Sequence, residues 1–295
     1  MRVYVLGAGK VGTALSRALG AAGIRVTLRA MRRGLPRRPI DADLLVLAVR
    51  DPALPELASE LAARSLVSRR TAVVHVAGAL GPEVLAPLRG VAAGVAQAHP
   101  LLSFAATGKV PRFSGAHLLV QGDAVAVRRA RELGRALAMV PRQWDAIDRA
   151  SYHAAAGLVA NGAAALAGVG AELLRVSGAP PEDAARALGP LLRSVADNVE
   201  RLGLPAALTG PVRRGDVATV LRHLEAIERS LPHALPLYRA SVAAQLPMAR
   251  KLGDASSPAL AELERRIRDG ARARAPRRGK ARRNSGSIAG RGRRS

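Results

Sequence analysis

The sequence predicts an α/β protein: a doubly wound, mostly parallel sheet over residues 1–145, an all-helical domain over 146–269, and a basic tail over 270–295. Three observations carry this. The chain opens on a short apolar run, Val3, Val5 and Leu6, that breaks directly into Gly7-x-Gly9-x-x-Gly12 and a helical segment over 13–22. Apolar runs of strand length then alternate with helical segments up to residue 145, as in strands joined by crossover helices. Beyond that point only helical periods remain.

The first turn sets the expectation for function. A dinucleotide diphosphate needs a tight turn, close approach of backbone N–H groups and a helix N-terminus, which the three glycines and the following helix supply. Gly7, Ala8, Gly9, Lys10, Val11 and Gly12 are therefore the candidate phosphate-binding residues. A second strand is expected over 24–28. About 20 residues past the glycines, NAD-binding turns carry an Asp or Glu for the ribose hydroxyls. Here Arg29 holds that place, followed by Arg32 and Arg33. Guanidinium groups pair with a 2′-phosphate that a carboxylate would repel, so NADP(H) is the expected cofactor.

The third strand, 43–49, is continuous and apolar, as a strand covered on both faces should be. It delivers Ala48, Val49 and Arg50 to the carboxyl edge, where open α/β sheets bind ligands. A helix over 55–63, a strand over 71–76 containing His75 and a helix over 82–88 follow. Strands over 91–98, 117–120 and 139–144, with a helix over 124–138, complete the domain. In the second domain a long Ala- and Gly-rich helix, 148–176, approaches the length of a membrane span. Its small residues, with Asn161 and Glu172, point instead to a buried core helix. Pro180 and Pro181 open a helix ending near residue 202, and Asp216 is placed to cap one over 217–231. Helices over 235–252 and 259–269 close the domain.

Composition narrows the classes. The 295 residues suffice for two cores, and with 49% hydrophobic but only 2% aromatic residues those cores must be aliphatic. The absence of Cys excludes disulfides and thiolate metal sites, and no metal is expected. No signal-peptide pattern opens the chain, which makes the cytoplasm the expected compartment and a membrane an unexpected partner. The tail from 270 to 295 holds ten of the Lys and Arg residues and no acid, leaving +14 of the net +24 (24 minus 10) elsewhere. Such a tail cannot bury a core and would retain polyanions non-specifically. Without an aromatic platform for stacked bases, no nucleic-acid function is expected.

Several side chains could carry chemistry. His75 and His99 stand at the ends of neighbouring strands, where an imidazole can move a proton to or from a substrate oxygen or nitrogen. Asn161 is a polar group on an apolar helix and needs a partner, either another helix or a ligand. His153 lies eight residues earlier on roughly the same side. Ser103 follows the His99-Pro100 turn, and Thr209 and Arg213 flank a Gly-Pro turn where Arg213 could hold an anionic substrate group.

With these residues in view, the chain resembles a bacterial family of Rossmann-like proteins, grouped as NADP-dependent oxidoreductases, with a helical C-terminal domain of unknown function. The motifs are GAGKVGTAL over 7–15, HVAGALGPEVLAPL over 75–88, HPLLSF over 99–104, Tyr152 and Asn161 on the long helix, and LTGPVRRGD over 208–216 with His223 following. It is similar, more broadly, to ketopantoate reductase, pyrroline-5-carboxylate reductase, prephenate dehydrogenase and the 6-phosphogluconate and β-hydroxyacid dehydrogenases. The resemblance implies hydride transfer at an interdomain cleft to or from a small, anionic carbonyl or imine substrate. It also implies His99 as acid/base, Asn161 holding the reacting group, and a homodimer formed through the helical domain. Gly157 stands where β-hydroxyacid dehydrogenases carry a catalytic Lys, and Ala77 where prephenate dehydrogenases carry a Ser. These departures keep open a second reading, a non-catalytic NADP(H)-binding sensor or regulatory protein.

Overall fold

The computed structural model describes residues 1–105, 109–144 and 146–272. Its contacts divide into two compact units, Met1–Ala164 and a second beginning at Ala165.

In the first unit β1 (Arg2–Leu6), β2 (Arg25–Arg29), β3 (Leu44–Leu47), β4 (Ala72–His75), β5 (Gly94–Pro100), β6 (His117–Gly122) and β7 (Val140–Arg142) form one sheet. Its order is β2-β1-β3-β4-β5-β6-β7. All neighbours run parallel except β5 and β6, which are antiparallel. Every residue of β3 and β4 is buried, which explains their unbroken apolar runs. Alternation sends Val46 and Val74 to one face, against α1 (Lys10–Ala21) and α3 (Ala124–Ala136), and Leu45, Leu47 and Val73 to the other, against α2 (Leu54–Ala63). The segment Pro82–Leu88, expected as a helix, is helical in the tighter 3-10 form, with Pro87 inside it. A proline at that point removes an N–H and crowds the preceding turn.

The second unit contains the C-terminal part of α4 (Arg149–Val176) and α5 (Pro181–Leu202), α6 (Pro211–Arg214), α7 (Val217–Ser230), α8 (Leu235–Leu252) and α9 (Ser257–Arg272). Val220, Leu224, Val242, Leu246 and Leu263 form its core, with Val169 and Leu173 of α4 packed against them. Asp216 caps α7 as expected, its Oδ1 accepting from the Thr219 N–H at 3.0 Å. The change from strands to helices at residue 145 is thus a change of secondary structure, while the division between compact units falls inside α4. Arg149 explains why: its guanidinium donates to the side-chain oxygens of Gln97 on β5 and Gln121 on β6, pinning the start of α4 to the sheet.

The expectation of a buried core helix is not met within one chain. No residue of α4 is buried, and Leu158 and Val159 are 76% and 73% exposed. Its Ala and Gly residues offer little side chain for a neighbour to pack on. Leu191, Val195, Val199 and Leu202 of α5 are exposed as well. Among the described residues α4 alone is long and apolar enough to cross a membrane by length and composition. The basic tail, apart from the last turn of α9, lies outside the described residues.

Candidate functional site

The order of the strands creates the first site. The chain leaves β1 for β2 on one side and β3 on the other, and crevices form at such switch points beyond the carboxyl ends. The glycines fit this place for different reasons. Gly7 has φ +112°, and a Cβ there would lie 2.2 Å from the Ala48 carbonyl oxygen; at Gly12 it would lie 1.9 Å from the Gly7 carbonyl oxygen. Both are demanded by the close approach of β1, β3 and α1. At Gly9 an added Cβ meets nothing within 4 Å, so the protein itself does not require glycine there. The N-terminus of α1 carries no side-chain cap, and Gly7, Ala8 and Gly9 just before it line a cavity of about 620 Å³. Such volume is in the range of ligand pockets.

Seven of the eleven residues expected to bind the cofactor line this cavity: Gly7, Ala8, Gly9, Arg32, Ala48, Val49 and Arg50. Lys10 and Val11 begin α1, and Gly12 is buried beneath the turn. Arg29 is engaged elsewhere. Its Nε donates to the Gly34 carbonyl at 2.7 Å and its terminal nitrogen to those of Arg33 and Leu35 at 2.8 and 3.3 Å. It braces the loop that carries Arg32. Glu56 and Glu60 also line the cavity, Glu60 paired with Arg64 at 2.9 Å.

The two strand-end histidines have different surroundings. His75 is fully buried; its Nε2 donates to the Gly81 carbonyl at 2.9 Å and its Nδ1 accepts from the Ala77 N–H at 3.2 Å. Burial holds its pKa below the usual value. With both nitrogens occupied by backbone, His75 shapes the turn after β4 and has no free position for a substrate. His99 is only partly buried, and its Nδ1 lies 2.7 Å from the Tyr152 hydroxyl of α4. Burial pushes the His99 pKa down to about 4 and the Tyr152 pKa up to about 12, so both are neutral at pH 7. The His153 ring stands 6.4 Å from that of His99. Gly78 makes room for both, since a Cβ there would lie 2.6 Å from His153 and 2.8 Å from His99. Buried Gln97 fixes the same turn by donating to the Ala77 carbonyl at 2.7 Å.

His99, Ser103, His153 and Asn161 line a second cavity, of about 700 Å³, with Tyr152, Trp144, Phe104 and apolar residues of α4. Asn161 is exposed, so water can satisfy it and the cost of burying an unpaired amide does not arise. Thr209 and Arg213 belong to the second unit. Arg213 donates to the Asp254 carboxylate at 2.6 Å and to the Leu208 and Ala206 carbonyls at 2.9 and 3.3 Å. The pairing of Tyr152 with His99, and the roles of Gln97, Arg149 and Trp144, have no local signal in the sequence. His99 and Tyr152 are 53 residues apart.

Residues 1–100 match a Rossmann-like domain family, and residues 116–245 match a domain of unknown function, DUF2520. The chain joins a Rossmann-like domain to a DUF2520 domain. The DUF2520 match starts within the sheet, taking in β6, α3 and β7 before the helices. No curated protein matches the sequence. Among solved structures, the Bacteroides fragilis protein BF3122, a proposed NADP oxidoreductase, is similar with TM-score 0.64 and 20% identity, covering 83% of this chain and 97% of its own. A pyrroline-5-carboxylate reductase from Coxiella burnetii has TM-score 0.56 and 16% identity, covering 85% and 98%. An imine reductase from Myxococcus stipitatus, solved with NADP+, has TM-score 0.56 and 17% identity, covering 89% and 99%. At these identities the likeness is one of fold.

Proposed function

We propose that this chain is an NADP(H)-dependent oxidoreductase that moves a hydride to or from a small carbonyl or imine substrate. The observation that carries the reading is the placement of two cavities along the carboxyl edge of one sheet, a glycine cradle at β1 and β3 and the His99–Tyr152 pocket at β5. The NADP-linked names among its structural neighbours support it. Gly9 and the start of α1 would hold the diphosphate, with Arg32 meeting the 2′-phosphate on the loop that Arg29 stiffens. The cofactor supplies the hydride; the protein manages the proton. Reduction of a C=O or C=N group consumes one proton. In this reading it leaves the Tyr152 hydroxyl for the substrate heteroatom and is replaced through His99, the histidine that the sequence offers as acid/base.

A titration with NADPH and NADH, followed by NADPH oxidation against ketones, cyclic imines and 2-oxo acids, tests this. NADPH should bind more tightly than NADH, and His99→Ala should lower turnover on the order of 100-fold, a usual size for acid–base catalysis. Gly157 and Ala77, where relatives carry Lys and Ser, favour the alternative of a cofactor-binding sensor. NADPH binding without turnover on any substrate would select that alternative.

We also propose that a second copy covers the exposed apolar side chains of α4 and α5. Asn161, Glu172 and Arg175 on α4 suit a protein partner better than lipid. Light scattering should then give twice the 30.7 kDa chain mass. A monomer that partitions onto lipid vesicles would oppose both this proposal and the cytoplasmic location that goes with it.

A further inference from the structure

We infer that the pocket beside His99 selects an uncharged substrate with an apolar, ring-sized body rather than an anionic one. The inference rests on the oxidoreductase reading of the same site and names its substrate class. Leu101, Leu102, Phe104, Trp144 and Val159 give the cavity aromatic and aliphatic walls, and none of the described lining residues is Arg, Lys, Asp or Glu. An anion gains no cation on this lining to offset the hydration it gives up against the apolar walls, whereas a ketone or neutral imine gives up little. His99 cannot supply the missing charge, because burial keeps it neutral at pH 7. His153, the other imidazole on the lining, is exposed on α4.

The cation that the sequence offers for an anionic substrate is already spent. Arg213 is held by the Asp254 carboxylate and two backbone carbonyls in the second unit. What polarity the pocket has suits a neutral acceptor atom. The Tyr152 hydroxyl can donate one hydrogen bond to a carbonyl oxygen or imine nitrogen, and the Asn161 amide another. A cavity of about 700 Å³ lies within the span that encloses small organic ligands.

Trp144 is the single tryptophan of the chain and lies on the pocket wall, so its fluorescence reports occupancy with or without cofactor. The full chain would be titrated with cyclohexanone and, separately, with cyclohexanecarboxylate, using a free tryptophan amide to subtract collisional quenching. We expect a saturable response to the ketone and at least ~10-fold weaker binding of the carboxylate, a difference of about 1.4 kcal/mol. Ala160→Arg, which sets a guanidinium on the same wall, should reverse the order. Carboxylate binding equal to or tighter than ketone binding in the wild type, or no saturable response to the ketone, overturns the inference. NADPH titration of the same sample, followed by the cofactor's own fluorescence, tests the oxidoreductase reading separately. Ketone selectivity without NADPH binding would sink that reading and leave the selectivity of the pocket standing.

Discussion

The two cavities at the carboxyl edge are built in opposite ways. The first is made of backbone: six consecutive residues, Gly7 to Gly12, turn β1 into α1, and a Cβ at Gly7 or Gly12 would run into neighbouring carbonyl oxygens. The second is made of side chains, brought together because Arg149 fastens α4 to β5 and β6 and so sets Tyr152 against His99. A site of the first kind can be read locally, since few residues but glycine fit it. The second kind is assembled from ordinary residues whose meeting depends on the whole fold.

Four substitutions and one condition probe this contrast, taken from the largest expected effect down. Gly12→Ala drives a Cβ into the Gly7 carbonyl and should lower stability by ~3 kcal/mol in urea unfolding, as overpacking against unyielding backbone does. His75→Ala leaves the Ala77 N–H and the Gly81 carbonyl without their buried partner, a loss of about 2 kcal/mol in the same measurement. His99→Ala should cost less stability than either and show itself in turnover instead. Gly9→Ala places its methyl in open space; thermal stability should hold, while NADPH affinity drops about 10-fold because the diphosphate can no longer approach the backbone. An unchanged NADPH affinity would show that the open side of the turn is not where the cofactor sits.

The smallest effect is in pH. His75 and His99 both have pKa values depressed in the folded state, His99 to about 4 from an ordinary 6.5. Below pH 6.5 the unfolded chain therefore takes up protons that the folded chain refuses, and stability declines as pH falls from about 6.5 toward 4. His99→Ala should flatten that decline in a series of unfolding curves; an equally steep decline in the variant would assign it to other groups.

Much of the sheet was legible. All seven strands overlap the segments that the sequence offers, most plainly β3 and β4, which are covered on both faces, and β2, which Gly23 sets off from the preceding helix. The two histidines could not be told apart, since both end apolar strands. Only the return of the chain at Gly81 toward His75, and of α4 toward His99, separates a structural imidazole from an accessible one. Arg29 sits where a 2′-phosphate partner belongs, but the carbonyls of residues 33–35, turned inward at Gly34 with φ +62°, take its donors first. The exposure of α4 was hidden for a simpler reason. An apolar, small-residue helix has the same composition whether its own chain or another molecule is to cover it.

Arg149 has a mechanical consequence. One anchor would fix where α4 begins and leave it free to roll about its axis; two anchors, on neighbouring strands, also fix its rotation. Tyr152 follows three residues later, about 300° around the helix and so back near the same side. The angular setting of the first turns of the helix is thereby registered at the sheet, and the 2.7 Å approach of the Tyr152 hydroxyl to His99 depends on it. Arg149→Lys keeps the charge but surrenders the fork, turning a clamped shaft into one that can slip.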